Sequence, residues 1–168
     1  LTSYLRRPDG THYEVQYYFR QNEDGLAFFS GHVNEADGTE HTAVGLTPDV
    51  RYAPENRGFV GGEIRLQMES GHQRVVHVES ISDTGFHLQT GNYMPWKGGR
   101  HGVWRGPLHL DGEYIADCEK EFDASTELGW QLRDRPVRVR DGDAEGYGIL
   151  ESLCYGDWPE FGTSGTPG

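Results

Sequence analysis

What this sequence has least of is lysine, cysteine and methionine, two of each in 168 residues. Cys118 and Cys154 lie far apart and form no metal-like pair, which excludes a zinc site built on paired cysteines. One disulfide between them stays open as an alternative. The expected state is two reduced, buried thiols in an intracellular, cytoplasmic protein. No apolar run approaches the roughly 20 residues that a membrane span needs, so the chain is expected to be soluble, with no membrane partner. It starts at Leu1 without a basic or apolar leader, and nothing there supports a signal peptide.

Positive charge is scarce as well. The net charge of −12 argues against nucleic acid as a partner, because binding a phosphate backbone needs clustered cations. The nearest approach to a basic cluster is Arg133, Arg135, Arg138 and Arg140, interrupted and flanked by Asp134, Asp141 and Asp143. A solvated strand face is the expected explanation. His12, His32, His41, His72, His77 and His87 show no recognised metal spacing, so no metal is predicted. There is no G-x-S-x-G, P-loop or nucleotide fingerprint. "GFVGGE" (Gly58–Glu63) has glycines but lacks the strand–turn–helix context, so no cofactor is predicted.

Helical periodicity is the remaining absence. The best candidate, "DASTELGWQL" (Asp123–Leu132), is interrupted by Gly129 and allows a short turn at most. What the chain does have is turns. "PDG" at Pro8–Gly10, "EDG" at Glu23–Gly25, "ADG" at Ala36–Gly38, "ESG" at Glu69–Gly71, "DTG" at Asp83–Gly85, "LDG" at Leu110–Gly112 and "RDGD" at Arg140–Asp143 recur at short intervals. Between them the residues alternate. "HYEVQYYFR" (His12–Arg20) puts Tyr13, Val15, Tyr17 and Phe19 on one side, and "GEIRLQME" (Gly62–Glu69) gathers Ile64, Leu66 and Met68. "RVVHVESI" (Arg74–Ile81) and "GFHLQTGNYM" (Gly85–Met94) read similarly. This predicts an all-β antiparallel barrel or β-sandwich of about ten strands with little helix. One β-domain over residues 1–159 is expected, with a flexible tail over 160–168.

Two stretches could carry chemistry. In "GGRHGVWRGPLHLDGE" (Gly98–Glu113), a strand would point His101, Arg105 and His109 one way and Trp104, Leu108 and Leu110 the other. Imidazole can exchange a proton near neutral pH, and guanidinium can hold an oxyanion. In "GYGILESLCYG" (Gly146–Gly156), one face reads Tyr147, Ile149, Glu151, Leu153 and Tyr155. A carboxylate centred on that face is expected to be desolvated and suited to general acid/base work. A structural pairing of Glu151 with a buried arginine such as Arg105 is the competing reading. The opposite face, Gly148, Leu150, Ser152 and Cys154, is small enough to pack tightly.

"RHGVWRGPLHLDGEY" followed by "DGDAEGYGILESLCYGDWPEFG" resembles the C-terminal part of an uncharacterised lipocalin-like (calycin-like) family. That family is distantly similar to carotenoid hydratases (hydroxyneurosporene synthases) and to fungal lipocalin-like Diels–Alderases. The likeness rests on an HG-x-W-x-G segment (His101, Gly102, Trp104, Gly106) and a G-x-G-x-x-E segment (Gly146, Gly148, Glu151), and extends loosely upstream from about Glu14 to Trp96. It implies a lipocalin-like barrel, an apolar pocket and no redox cofactor. It also implies that the chain is the second half of a two-domain protein, completed by an N-terminal half or a partner chain.

The leading functional expectation is a cofactor-independent enzyme, or half of one, acting on a hydrophobic or aromatic small molecule by hydration, isomerisation, lyase or cyclisation chemistry. His101 or Glu151 would move the proton and Arg105 would stabilise charge, while Trp104, His109, Tyr147 and Tyr155 would contact substrate. The alternative is a non-catalytic lipocalin-like binding module, or a structural subunit that completes a partner. A weaker third reading is a glycan-binding sandwich, resting on the exposure of Trp96, Trp104 and Trp158.

Overall fold

Five of the seven turn motifs make hairpins, and their glycines explain why. Gly10, Gly25, Gly38, Gly71 and Gly142 have φ of 89°, 108°, 87°, 84° and 59°, a region that side chains rarely tolerate. In the computed structural model, which describes residues 1–54, 58–82, 86–88, 106–107, 132–154 and 158–163, these turns join long antiparallel strands. The "DTG" and "LDG" motifs lie outside the described residues.

The strands are β1 (Thr2–Arg6), β2 (His12–Asn22), β3 (Gly25–Glu35), β4 (Glu40–Tyr52), β5 (Phe59–Met68), β6 (Gln73–Ser80), β7 (Phe86–Leu88), β8 (Leu132–Asp141) and β9 (Ala144–Ser152). A single 3-10 turn, Pro159–Phe161, is the only helical element among the described residues. The sheet runs β6-β5-β4-β3-β2-β1-β9-β8-β7, and β6 also pairs with β8 from Val76↔Asp141 to Ser80↔Val137. That last ladder closes eight strands into an antiparallel barrel, and β7 pairs with Leu132–Asp134 on the same edge of β8 that β6 uses further along. Of the two expected architectures the barrel is therefore the one formed, with nine strands rather than about ten among the described residues. Closure needs no strand from another chain.

Alternation fills the interior. Leu5, Val15, Val33, Ile64, Leu66, Val76, Val78, Val137 and Val139 are buried, each contributing on the order of 1.5–3 kcal/mol. The predicted inward faces of β2 and β5 are the observed ones. On β9 the small face is the inner one. Gly146 pairs with Leu5 and Gly148 with Ser3, and a Cβ built on Gly146 would overlap the Tyr4 carbonyl. These two glycines let β1 and β9 approach closely enough to close the ring.

One ladder is incomplete. β3 pairs with β4 only at His32↔Thr42, Val33↔His41 and Asn34↔Glu40, although each strand runs well beyond those pairs. From Gly31 back to Gly25, no ladder joins β3 to β4 among the described residues. The chain after β9 returns to this side of the barrel. Trp158 bridges Thr163, and Phe161 packs at 6.4 Å from Tyr52 and 5.9 Å from Trp158. Phe161 and Thr163 are buried, so the packed structure extends past residue 160, where a free tail was expected to begin.

Candidate site at the aromatic end of the barrel

The two ends of the barrel are built differently. At one end sit the turns β1–β2, β3–β4, β5–β6 and β8–β9. Three of these repeat a single hairpin device, with backbone bonds Gly10 N–H to Arg7 C=O, Gly38 to Glu35 and Gly71 to Met68, at 2.9 Å each. Charged side chains close this end. Arg7 meets Glu35 at 2.7 Å, Arg74 meets Asp141 at 2.6 Å, and Arg74 approaches Glu35 at 3.8 Å. The Tyr13 hydroxyl donates to Asp141 at 2.9 Å, and its ring receives Arg7 at 4.1 Å and Arg74 at 5.4 Å from the ring centroid. Every charge in this plug has an opposite partner, and the aromatic ring fills the centre.

The other end has no such plug among the described residues. β2 brings Tyr17 and Phe19 to it, stacked with centroids 6.4 Å apart, and Phe29 lies opposite Phe19 in the ladder with β3. Tyr52 at the end of β4 packs edge-on against Phe59 at 5.8 Å. Phe19, Phe29, Tyr52 and Trp158 are only partly buried against the core. β8 enters here with Arg133 and Arg135 pointing inward, each 7% exposed, beside Ser152 and Leu150 of β9. The incomplete β3–β4 ladder lies at this same end, beside Phe29.

The polar groups here are mostly donors. Guanidinium has no acceptor at all. Burial first, and the neighbouring Tyr52 phenol second, push the Tyr17 phenol above its ordinary range; burial and then Cys154 do the same to Tyr52. Both phenols therefore keep their protons through the neutral range. Neither hydroxyl has a hydrogen-bond partner among the described residues. Cys154 Sγ lies 3.9 Å from Thr163 Oγ1, at the edge of the same aromatic group, and is half-buried rather than fully buried.

The residues singled out in the sequence fall elsewhere. His101, Trp104, Arg105 and His109 lie outside the described residues, as do Tyr155 and Cys118, so the Arg105–Glu151 pairing does too. Glu151 and Tyr147 are described, and the expectation of a desolvated carboxylate is corrected. Their face of β9 is the outer one, with Tyr147 61% exposed opposite Tyr4 at 66%. The aromatic face points outward because the glycine face is needed inside for strand approach. Glu151 stands across from Asp134 in a surface groove of about 460 Å³ that also reaches Tyr18, His32 and Ile149. Burial raises the Asp134 carboxyl above its ordinary value.

The arginines of β8 need the second correction. Arg138 and Arg140 are exposed, as expected of a solvated face, but Arg133 and Arg135 are not. The signal was in the sequence: Val137 and Val139 fix the inward phase, and period two carries it back to Arg135 and Arg133. Among the described residues no group of His, Cys, Asp and Glu is placed to hold a metal ion, and no helix is long and apolar enough to cross a membrane.

A closed eight-stranded antiparallel barrel, plugged at one end and aromatic at the other, is the class of protein these features define. The chain belongs to a family of unknown function, DUF8625, whose profile matches residues 10–164. No curated protein and no solved structure matches it.

Proposed function

We propose that this chain is a small-molecule binding module that takes an apolar or aromatic ligand at the aromatic end of the barrel. The observation that carries the reading is the asymmetry of the interior. One end is filled by paired charges around Tyr13, whereas the other presents partly buried rings beside a stretch of β3 that has no ladder to β4 among the described residues. An eight-stranded barrel has an interior sized for its own side chains or one small ligand. Such pockets are typically apolar, with a few polar groups that fix orientation. Phe19, Phe29, Tyr52 and Trp158 supply the apolar wall, and Tyr17, Arg133 and Arg135 the polar groups.

Titration with the neutral probe N-phenyl-1-naphthylamine tests this reading. Saturable one-to-one binding is expected, lost in Phe29→Glu and retained in the outer-face variant Tyr147→Ser. Binding that fails to saturate, or that Tyr147→Ser abolishes and Phe29→Glu does not, overturns it.

The enzyme reading keeps one specific support. Asp134, with its raised carboxyl, and Glu151 form a cross-strand pair in the outer groove, with His32 lining the same groove. Unequal carboxyl groups side by side can act as acid and base. The groove is open to solvent, however, and water competes there with any ion pair or proton transfer. The interior end is the better-built site.

A further inference from the structure

We propose that the outer face of β3, β2, β1, β9 and β8 docks a short basic segment of another protein. Its arginine or lysine side chains lie over the exposed tyrosines and meet Glu14, Asp134 and Glu151. This surface lies outside the barrel wall and does not rest on the reading of the interior site.

The first observation is a run of exposed rings. Tyr147 and Tyr4 face each other across the β9–β1 ladder, and two residues along, Ile149 stands opposite Thr2. Thr2 is in turn in register with Gln16 of β2, and Tyr18 follows on the same side, its ring 5.7 Å from that of Phe28. Tyr4, Tyr18, Phe28, Tyr147 and Ile149 are all exposed. The outer groove runs among them, touching Thr2, Gln16, Tyr18 and Ile149. A contiguous apolar patch left on the surface marks a place of contact. Five strands span about 19 Å across, and the strand from Tyr147 to Glu151 covers about 13 Å. That footprint suits a short segment and falls well below the roughly 800 Å² that each partner of a stable complex buries.

The second observation is charge. Asp134 and Glu151 stand opposite each other in the β8–β9 ladder, where like charges repel. No lysine or arginine lines the groove beside them. The positively ionisable group near both is the Leu1 amino group, which donates to the Tyr17 carbonyl at 2.8 Å. Burial pushes that amine down to about 6, against the opposing pull of Glu151 and Asp134, so at neutral pH it is mostly uncharged. Glu14 lies at the other end of the face, in register with Tyr4. It accepts from the Gln16 amide at 2.8 Å and the Asn34 amide at 3.3 Å. These neutral donors hold the carboxylate in place and leave its charge intact. Arg20 and Arg138 stand at the margins, beside Phe28 and Tyr147.

Charge also decides the occupant. A second copy of this chain, at −12, is repelled, as is a nucleic acid. A basic segment is attracted. Guanidinium in particular can fork onto a carboxylate and stack on a ring, the two groups that this face sets side by side. Docking excludes the water that otherwise screens those pairs.

Calorimetric titration with acetyl-Arg-Gly-Arg-Gly-Arg-amide, and with the same peptide carrying neutral citrulline for arginine, tests the proposal. The arginine peptide is expected to bind saturably, one to one, and about tenfold or more tightly than the citrulline peptide. Glu151→Gln and Tyr147→Ser are each expected to weaken it several-fold. Glu69→Gln, which removes one charge from the β5–β6 turn, is expected to leave it unchanged. All three side chains are exposed, so folding is not at stake. Absence of saturable binding, or equal binding of the two peptides, overturns the proposal. An equal loss in Glu69→Gln and Glu151→Gln also overturns it, by reducing the attraction to net charge. Binding of cellohexaose that Tyr147→Ser abolishes would assign the face to a glycan instead. A dimer in sedimentation equilibrium that the same variant dissolves would assign it to a second copy, and either result overturns the basic segment. Binding of N-phenyl-1-naphthylamine is expected to be the same with and without the peptide, so the interior reading stands or falls separately.

Discussion

Tyr13 and Tyr17 sit four residues apart on β2, on the same face, and both are buried. By composition and pattern they are interchangeable. In the fold they are opposites. Tyr13 donates to Asp141 and lies between two guanidinium groups, so its polar atom is fully used. Tyr17 has the same burial and no partner for its hydroxyl among the described residues. The difference teaches how the barrel divides its labour: the charges around Tyr13 serve stability, while the Tyr17 hydroxyl makes no such bond among the described residues. Measurements that break the first end should cost stability and spare binding, and those that break the second should do the reverse.

The largest effect is expected where both ends share a wall. Gly146→Ala forces a methyl group into the Tyr4 carbonyl of the neighbouring strand. Loss of about 3 kcal/mol or more is expected from displaced backbone, measured by urea denaturation. A change below about 1 kcal/mol would show that β1 and β9 can separate without penalty, and the barrel's closure would need another explanation.

Next comes the plug. Asp141→Ala removes the acceptor of Tyr13 and the closest partner of Arg74 at once. Because Arg74 is then left with only the longer contact to Glu35, a loss of about 2–3 kcal/mol is expected. N-phenyl-1-naphthylamine should bind this variant as it binds the parent at temperatures where both are folded. If binding falls in step with stability, the two ends are not independent and the comparison fails.

The smaller contrast is the cleaner one. Tyr13→Phe is expected to cost about 1–2 kcal/mol, the value of a hydrogen bond to a carboxylate, and Tyr17→Phe close to nothing. Equal losses would mean that the Tyr17 hydroxyl is engaged in the unliganded protein after all.

How much of this was legible beforehand follows from what each feature depends on. Turns are local, and Asp-Gly and Ser-Gly at Gly10, Gly38 and Gly71 specify them within a few residues. Inward faces follow from alternation, so β2 and β5 were readable from their own residues. Whether a sheet closes is not local; the β6–β8 ladder joins strands more than fifty residues apart. Which face of β9 points inward was misread because aromatic residues suggest burial, whereas the deciding constraint was the backbone of β1 pressed against Gly146 and Gly148. Arg133 and Arg135 show the converse error: charge suggested solvent, while Val137 and Val139 had already fixed the phase. The plug was unreadable in principle, because Arg7, Tyr13, Glu35, Arg74 and Asp141 meet only through the barrel's register.

Alkaline pH sharpens the comparison of the two tyrosines further. The Tyr13 phenol is pushed up by burial and then by the charge of Asp141, and the Tyr17 phenol by burial and then by Tyr52. A group whose pKa is higher in the folded than in the unfolded chain stabilises fully below the unfolded value. That contribution is lost as pH rises past about 10, where the unfolded phenol releases its proton and the folded one does not. Each of these residues therefore steepens the decline of stability above that point, and replacing either by Phe should flatten it. The two variants differ in where they start. Tyr13→Phe begins below the parent at neutral pH, having lost its bond to Asp141, and converges on it as pH rises. Tyr17→Phe begins level with the parent and exceeds it above pH about 10. Denaturant midpoints from neutral pH upward would show one converging and one diverging pair of curves. A variant whose curve ran parallel to the parent's would mean that the phenol it removes is not raised on folding, and equal offsets at neutral pH would mean that the two hydroxyls are used alike, which would end the distinction between the two ends.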